Sequence, residues 1–293
     1  MNPHTPQRTF EFWGKTLDVE QPKVMGVLNL TPDSFSDGGQ FFSVDAAIKR
    51  VSEMAEEGAD IIDVGGESTR PGSDPVSEEE ELSRVIPVLK KLVPAFPDLF
   101  FSIDTTKYEV ARQALSLGVH LVNDVSGLEK EPRFVELCGV FNAGYILMHS
   151  KGDPKTMQES PHYDNLFDEI DHYFSERIER LLRGGCERII LDPGIGFGKT
   201  LQHNLQIVGG LDKFRKYGLP VLAGASRKSM IGQILNNRST DGRLAGTLAL
   251  HYHCLMKGAT FLRVHDVREA RDSIQIYNAV LAAQSEPSKP PLN

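Results

Sequence analysis

The sequence predicts an α/β fold, a (β/α)8 TIM barrel with an N-terminal β-hairpin. Three observations indicate this fold: eight short apolar runs recur along the chain, amphipathic helical patterns lie between them, and polar residues follow the runs where they end. The runs are apolar at consecutive positions, as in strands that are buried on both faces of a parallel sheet. The 293 residues suffice for one barrel, since such barrels reach ~250 residues as a single domain.

The eight predicted strands alternate with helices, which is typical of βαβ units. In order they are KVMGVLNL, DIIDVGG, LFFSIDT, HLVNDVS, YILMHS, RIILDPG, PVLAGAS and FLRVHD. The alternative is an open doubly wound sheet, which more often carries a G-x-G-x-x-G turn after its first strand. Here that turn reads NLTPDSFSDGG, so the barrel is favoured.

Three of the helices are predicted from apolar residues at spacings of three and four. The first spans residues 43–58, with Ser43 as its N-cap. The second begins with a capping box at residues 77–80, and we expect Pro87 to kink it. The third runs over residues 164–183 and stops at a pair of glycines.

The flanks of the repeat divide the chain into three parts. Residues 1–22 are predicted to be an N-terminal extension whose β-hairpin, RTFEFWGKTLDVE, turns at Gly14 and closes the bottom of the barrel. Residues 23–284 form the barrel domain, and the proline-rich residues 285–293 form a disordered tail.

Composition excludes several classes of partner. The net charge is −8 and no Lys/Arg-rich run is present, so we expect no nucleic-acid partner. The apolar runs are too short to span a bilayer and the N-terminus lacks the apolar core of a signal peptide, so we expect a cytoplasmic protein with no membrane partner. Cys138, Cys186 and Cys254 form no C-x-x-C pair and are predicted to be buried, reduced thiols.

The stretch LDPGIGFGKT is close to a nucleotide-binding loop, which requires G-x-x-x-x-G-K-[ST]. Pro193 stands where the first glycine is needed, and proline has a fixed φ and no N–H to offer a phosphate. The match therefore fails at one decisive position. ATP binding remains an alternative, but a disfavoured one.

Polar groups recur where the predicted strands end, and barrel active sites are built at those ends. They are Asn29, Asp63, Asp104, Asn123 with Asp124, Met148 with His149, Asp192, Ser226 to Ser229, and Arg263 with His265. Each one alone is also typical of a helix cap or a turn. Together they place carboxylates and amides opposite cations, which suits a flat, amide-rich heterocycle that carries an anionic group.

Eight stretches resemble the motifs of the dihydropteroate synthase family of folate biosynthesis. They are NLTPDSFSDGG, DVGGESTRPGS, FSIDT, NDVSG, MHSKGDPKTMQ, LDPGIGFGKT, GASRKSMIG and RVHDV, from about Lys23 to the last helix. One departure is SKG after Met148-His149, where the family often has MQG. The resemblance implies condensation of (7,8-dihydropterin-6-yl)methyl diphosphate with 4-aminobenzoate to give 7,8-dihydropteroate and diphosphate, with Mg²⁺, in a homodimer.

The resemblance also implies roles for residues of this chain. The pterin would contact Asp104, Asn123, Met148, Asp192, Phe197 and Lys228. The diphosphate would contact Asn29, Thr69, Arg263 and His265, and Asn29 would also bind the metal. The 4-aminobenzoate would contact Phe35, Thr69, Arg70, Pro71, Phe197 and Ser229. The expected catalytic residues are Asp37, Arg70, Lys228, Arg263 and His265, while Lys199 and Thr200 would be an ordinary loop that leads to a helix.

Loss of diphosphate from the pterin methylene leaves a delocalised cation, so the expected reaction is a dissociative substitution that depends on stabilising the departing anion. The long loops NLTPDSFSDGGQF and GGESTRPGSDP are expected to order over bound substrate. Two alternatives remain at this point: a pterin-binding methyltransferase domain that acts on a folate methyl group, and a non-enzymatic pterin-binding homologue.

Overall fold

The structure, a computed structural model, describes residues 8–31, 44–68, 74–152, 157 and 161–285. Strands β1 (Thr9–Phe12) and β2 (Lys15–Asp18) form an antiparallel hairpin. The parallel strands are β3 (Lys23–Asn29), β4 (Ile61–Gly65), β5 (Phe100–Asp104), β6 (Leu121–Asp124), β7 (Gly144–Met148), β8 (Ile189–Asp192), β9 (Leu222–Ala223) and β10 (Phe261–Val264). The α-helices in this part of the chain are α1 (Val44–Glu56), α2 (Glu78–Ala95), α3 (Tyr108–Ser116), α4 (Phe134–Val140), α5 (Leu166–Arg183), α6 (Leu201–Gly209), α7 (Ser229–Ile234), α8 (Leu244–Met256) and α9 (Val267–Ser285).

The parallel strands follow one another around a ring. Hydrogen bonds join them in the order β8-β7-β6-β5-β4-β3-β10-β9, and a bridge between Leu191 and Val221 brings β8 and β9 together. The predicted (β/α)8 barrel is therefore confirmed. An open doubly wound sheet would instead reverse its strand order in the middle.

The inside of the barrel changes from apolar to polar along the strands. Because side chains alternate across a strand, each strand places one residue inward near its start and another two positions later. The residues near the starts form one apolar cluster: Met25, Ile61, Phe100, Leu121, Ile146, Ile190, Leu222 and Phe261. Two positions further along stand Val27, Asp63, Ser102, Asn123, Met148, Asp192, Gly224 and Arg263. Five of these eight residues are polar, so the layer nearer the C-terminal end of the barrel is the more polar of the two.

The N-terminal hairpin closes the other end, as the sequence predicts. Phe10, Phe12, Leu17 and Val19 belong to the same apolar cluster as the strand starts. The hairpin is also fixed by hydrogen bonds: Lys15 Nζ donates to the carbonyl of Leu99 at 2.6 Å, and Arg188 Nε donates to the carbonyl of Glu11 at 2.6 Å. Trp13 lies at the turn and is 78% exposed.

The three predicted helices are present with small differences at their starts. Ser43 lies outside the described residues, and α1 ends at Glu56. Ser77 Oγ accepts from the Glu80 N–H at 3.1 Å, but the Glu80 carboxylate pairs with Arg84, so the capping box is formed in one direction. Helix α5 begins at Leu166 because Asn165 is its N-cap. The kink at Pro87 stays a prediction.

Burial of the cysteines is as predicted. Cys138, Cys186 and Cys254 are buried free thiols, and burial raises the pKa of Cys254 to about 12. In the described part of the chain, every helix is too short or too polar to cross a membrane. The domain boundaries at residues 22 and 284 stay predictions, and residues 286–293 lie outside the described part.

Candidate active site

A cavity of about 990 Å³ opens at the C-terminal ends of the barrel strands. Nine residues predicted from the sequence line it: Asn29, Asn123, Met148, Asp192, Phe197, Lys228, Ser229, Arg263 and His265. Asp104 lies directly behind this lining, in contact with Arg263. The other predicted site residues, Phe35, Asp37, Thr69, Arg70 and Pro71, lie outside the described residues.

Arg263 is held by two buried carboxylates. Its Nε donates to Asp63 Oδ2 at 2.7 Å, and its Nη2 donates to Asp104 Oδ2 at 2.7 Å. Asp63 Oδ2 also accepts from Asn123 Nδ2 at 2.9 Å. The Asp63 Oδ2 atom therefore aligns both the Asn123 amide and the Arg263 guanidinium. Because Asp63 and Asp104 engage Nε and Nη2, the Nη1 group of Arg263 is left for a ligand.

Asp63 is a residue of the site that the sequence analysis did not assign. It was noticed only as one polar residue among several at strand ends. Its position two residues after Ile61 on β4 puts it in the same inward layer as Asn123 and Arg263. Counting inward positions strand by strand would have found it.

The two carboxylates carry unused hydrogen-bonding capacity. Asp63 Oδ1 and Asp104 Oδ1 are both buried and accept no hydrogen bond in the described structure. Burial raises the pKa of Asp104, against the opposing effect of Arg263. An unpartnered buried acceptor is costly unless a ligand supplies a donor. The Asp104 carboxylate is therefore suited to receive an N–H from a bound molecule.

Asp192 ends β8 and lines the cavity. Its Oδ1 accepts from the N–H of Gly194 at 2.8 Å. Burial raises the pKa of this carboxyl, whereas the Gly194 N–H, Lys228 and Arg263 lower it. These donors and cations favour the charged carboxylate, which is the form that accepts hydrogen bonds from a ligand.

Lys228 and Phe197 face each other across the cavity wall. The Lys228 Nζ lies 4.2 Å from the centre of the Phe197 ring. Burial lowers the pKa of Lys228 to about 8, although Asp192 acts in the opposite direction. Ser229, the first residue of α7, is exposed beside them.

His265 directly follows β10 and is oriented by Ser226. The Ser226 Oγ lies 3.0 Å from His265 Nδ1 and accepts from the His265 backbone N–H at 3.2 Å. Both His265 and Arg263 line the cavity, as their alternation on one strand predicts. Arg263 is a cation and His265 offers a ring nitrogen at the same wall of the cavity. This wall is therefore suited to bind an anion.

The glycine-rich loop after β8 packs against the segment after β7. Gly194 and Gly198 have φ values of +69° and +61°, and a Cβ there would lie 1.9 Å from the His149 carbonyl oxygen and 2.1 Å from the Lys151 carbonyl oxygen. No side chain fits in either place. The glycines thus serve a close approach between two loops, which explains why the stretch is similar to a nucleotide-binding loop without its first glycine.

Lys199 and Thr200 lie in a loop that leads into α6, as expected, but the burial of Lys199 was not foreseen. Lys199 is 2% exposed, and its Nζ donates to the carbonyls of Phe197 at 2.9 Å and His149 at 3.2 Å. Thr200 is the N-cap of α6 and forms a reciprocal capping box with His203. The sequence carried no clear signal for this burial, because the side chain follows a flexible Gly-Phe-Gly stretch.

The two residues at the departure from the family pattern have structural partners. Ser150 Oγ donates to the Val125 carbonyl at 3.0 Å. Lys151 Nζ donates to the His162 carbonyl at 2.7 Å and to Glu169 at 2.6 Å. Both side chains therefore stabilise the segment that follows β7.

A protein-only metal cage is absent from the described residues, where no three His, Cys, Asp or Glu side chains come together suitably. Asn29 lines the cavity at the end of β3 and offers a neutral amide oxygen. One oxygen ligand of this kind fits Mg²⁺, which keeps several waters and takes further ligands from substrate phosphates.

Comparison with known proteins is consistent across sequence and structure. The sequence pattern of the family described as "Pterin binding enzyme" matches residues 25–265. The dihydropteroate synthase of Escherichia coli K12 is 47% identical over 273 residues, which cover 92% of this chain and 96% of that protein. The Yersinia pestis dihydropteroate synthase, solved in a sulfonamide drug complex, superposes with a TM-score of 0.87 at 43% identity, over 94% of this chain and 99% of that one.

A second solved structure, the Xanthomonas albilineans dihydropteroate synthase with 4-aminobenzoic acid, has a TM-score of 0.87 at 41% identity and covers 96% of this chain and 99% of that one. These identities extend over nearly the whole chain, and the relatives of known structure share its barrel. Sequence and structure therefore indicate the same family. The chain belongs to the dihydropteroate synthase family of pterin-binding enzymes.

Proposed function

We propose that the protein is a dihydropteroate synthase, a transferase that condenses (7,8-dihydropterin-6-yl)methyl diphosphate with 4-aminobenzoate and releases diphosphate. The observation that carries the proposal is one cavity whose wall joins a buried carboxylate, Asp192, to a cationic pair, Lys228 and Arg263. The relatives named above are dihydropteroate synthases, and the solved Xanthomonas albilineans enzyme holds 4-aminobenzoic acid.

The pterin is held by its hydrogen-bonding edge. An amino group and a ring N–H lie side by side on that edge, and a single carboxylate such as Asp192 accepts from both. Asn123 and the unpartnered Asp104 Oδ1 complete the contacts. Lys228 donates to the pterin carbonyl side, with Met148 and Phe197 against the faces of the ring.

The diphosphate lies against Arg263, His265 and Asn29. Arg263 offers Nη1, since Asp63 and Asp104 engage its other nitrogens. Asn29 would hold Mg²⁺, which when bound would supply positive charge to the leaving diphosphate. Because the pterin methylene becomes cationic as diphosphate leaves, the protein's main task is to hold the departing anion in place. The substitution is dissociative, and no strong general base is needed for the arylamine.

The 4-aminobenzoate pocket involves Phe197 and Ser229 among the described residues. Its other expected contacts, Phe35, Thr69, Arg70 and Pro71, and the expected catalytic residue Asp37, stay predictions because they lie outside the described part. Lys228 borders both sub-sites through its contact with Phe197.

A homodimer is supported by apolar side chains on the surface of α9. Ile276 is 61% exposed, and Val280 and Leu281 are exposed on the same helix. Such side chains at one site favour association with a second copy. The cytoplasmic location expected from the sequence stays a prediction.

The test is release of diphosphate by the purified protein in the presence of the pterin diphosphate, Mg²⁺ and 4-aminobenzoate. We expect release that depends on 4-aminobenzoate and that yields dihydropteroate. A pterin-binding methyltransferase or a non-enzymatic homologue would release no diphosphate, and ATP would be consumed only if the glycine-rich loop bound nucleotide. Any of these results would contradict the proposal.

A further inference from the structure

Lys199 is a buried lysine that the proposed reaction does not use. Its Nζ lies 2.9 Å from the Phe197 carbonyl oxygen, 3.2 Å from the His149 carbonyl oxygen and 3.0 Å from His149 Nδ1. These three acceptors occupy the three N–H donors of an ammonium group. All of them are uncharged, so the ammonium form of Lys199 has neutral hydrogen-bond partners and no carboxylate in direct contact.

The three contacts connect two walls of the cavity. His149 follows β7, and Phe197 lies on the loop between β8 and α6. The His149 ring packs edge-on against Tyr173, with ring centres 4.7 Å apart, and the Tyr173 hydroxyl donates to the Met148 carbonyl at 2.9 Å. Tyr173 thus holds the end of β7, where His149 contacts Lys199. Lys199 in turn holds the backbone of Phe197.

Lys199 also lies next to the loop that supports Asp192. A Cβ on Gly194 would be 3.2 Å from the Lys199 Nζ, and the Gly194 N–H is the donor to Asp192 Oδ1. The ammonium thus sits against the same glycine that binds the carboxylate. Lys199 and Asp192 both belong to the lining of the cavity, and the Lys199 charge acts on the Asp192 carboxylate.

We propose that Lys199 is a positioning residue of the pterin site: its buried amino group holds the loop after β8 against the end of β7, and its protonated form places a positive charge beside Asp192. The inference rests on the proposed function, because it concerns the pterin sub-site of that reaction. It is not contained in the roles assigned above, where Lys199 contacts no substrate.

Charged groups reach this region from several elements. Asp192 is faced by Lys228 from the start of α7, by Arg263 from β10 and by Lys199. Lys199 is faced by Asp192 and Lys228. Burial lowers the pKa of His149 and of His203, and the Lys199 charge acts in the same direction. Burial lowers the pKa of Lys199 to about 7, and Asp192 acts against that shift. Loss of this cation therefore removes one of the few charges that favour the ionised Asp192.

The test compares Lys199→Met with Lys91→Met, a matched control at an exposed position of α2. For Lys199→Met we expect kcat/KM for the pterin diphosphate to fall roughly 10- to 100-fold, since small misplacements of a substrate cost rates of this order. The KM for 4-aminobenzoate should change much less. The acid limb of the pH profile for kcat/KM should move to higher pH, because Asp192 loses a stabilising cation.

A purely structural lysine would lower activity without moving the acid limb, and that result would overturn the charge part of the proposal. His149→Phe separates the two parts, since it removes the Nδ1 acceptor but keeps the lysine charge and the ring packing on Tyr173. We expect a raised pterin KM with an unmoved acid limb. An unchanged pterin KM in His149→Phe would overturn the positioning part of the proposal. This test remains decisive even if Lys199→Met fails to fold.

Binding of a 6-hydroxymethyl pterin by calorimetry gives a readout that does not depend on turnover. We expect weaker binding by Lys199→Met than by the parent, and equal binding by Lys91→Met. Equal binding by all three proteins would overturn the inference. If the parent protein releases no diphosphate, the proposed function fails, whereas an active parent with an unaffected Lys199→Met variant refutes the inference alone.

Discussion

Asp63 and Arg263 stand 200 positions apart in the chain, yet their side chains meet inside the barrel at 2.7 Å. Asp63 is fully buried and also accepts a hydrogen bond from Asn123, so it aligns the amide proposed to contact the pterin and the guanidinium proposed to contact the diphosphate. The two halves of the site thus share one carboxylate oxygen. A change at Asp63 must disturb both at once.

We therefore expect Asp63→Asn to lower kcat/KM by roughly 100-fold, as for misaligned catalytic groups. It should also lower the free energy of unfolding by about 2 to 4 kcal/mol, because a buried ion pair loses one partner. Steady-state kinetics and denaturant unfolding measure the two effects. Asp60→Asn is the matched control, since Asp60 pairs with Arg271 at the opposite end of the barrel. Equal kinetic losses in both variants would contradict the assigned role.

Asp192→Asn should abolish catalysis with little loss of fold. An amide presents one acceptor and one donor to the pterin edge, where two acceptor contacts are needed. Asp98→Asn, at an exposed loop position, serves as the control. Activity of the Asp192 variant within tenfold of the parent would refute the pterin contact, and so would unchanged affinity for a 6-hydroxymethyl pterin in calorimetry.

The alkaline side of the pH profile should depend on Lys228. Its pKa is lowered to about 8 by burial, so the ammonium that donates to the pterin is present below pH 8 and is lost as the pH rises through that value. We expect kcat/KM for the pterin diphosphate to fall above pH 8. In Lys228→Arg the guanidinium keeps its charge, so this limb should disappear even if the plateau is lower. Persistence of the limb would assign it to another group.

Binding of 4-aminobenzoate should be coupled to diphosphate. If diphosphate and Mg²⁺ organise part of the second pocket, 4-aminobenzoate binds more tightly in their presence, with a coupling of ~1 to 3 kcal/mol. Calorimetric titration with and without Mg²⁺ and diphosphate measures it, and Arg263→Ala should weaken it. Equal affinities in the two titrations would show that the pocket is preformed.

The proposed dimer is tested at α9. Ile276→Glu places a charge on the exposed apolar surface and should convert the protein to monomers in sedimentation experiments. Val140→Glu is the control, because Val140 is 74% exposed at the end of α4, away from α9. Dissociation by both variants, or by neither, would place the interface elsewhere.

The barrel was predictable because its signals are local. Consecutive apolar positions mark strands buried on both faces, and polar residues at strand ends mark the side on which a cavity forms. Asp192 and Lys228 were found in this way. The pairing of Arg263 was not, because it depends on which carboxylates lie in the same layer inside the barrel. The burial of Lys199 was also missed, because a lysine that follows a glycine gives no sign of the neutral acceptors that surround it.

Among the described residues, the hairpin fills the lower end of the barrel, and the cavity opens at the C-terminal ends of the strands. In the proposed reaction, both substrates would enter at that end, and diphosphate and the joined product would leave there. A ligand bound near the opening of the cavity must leave before a ligand bound deeper in the barrel can leave. The fold would therefore set the order in which substrates bind and products leave. It would also favour inhibition by a product that accumulates.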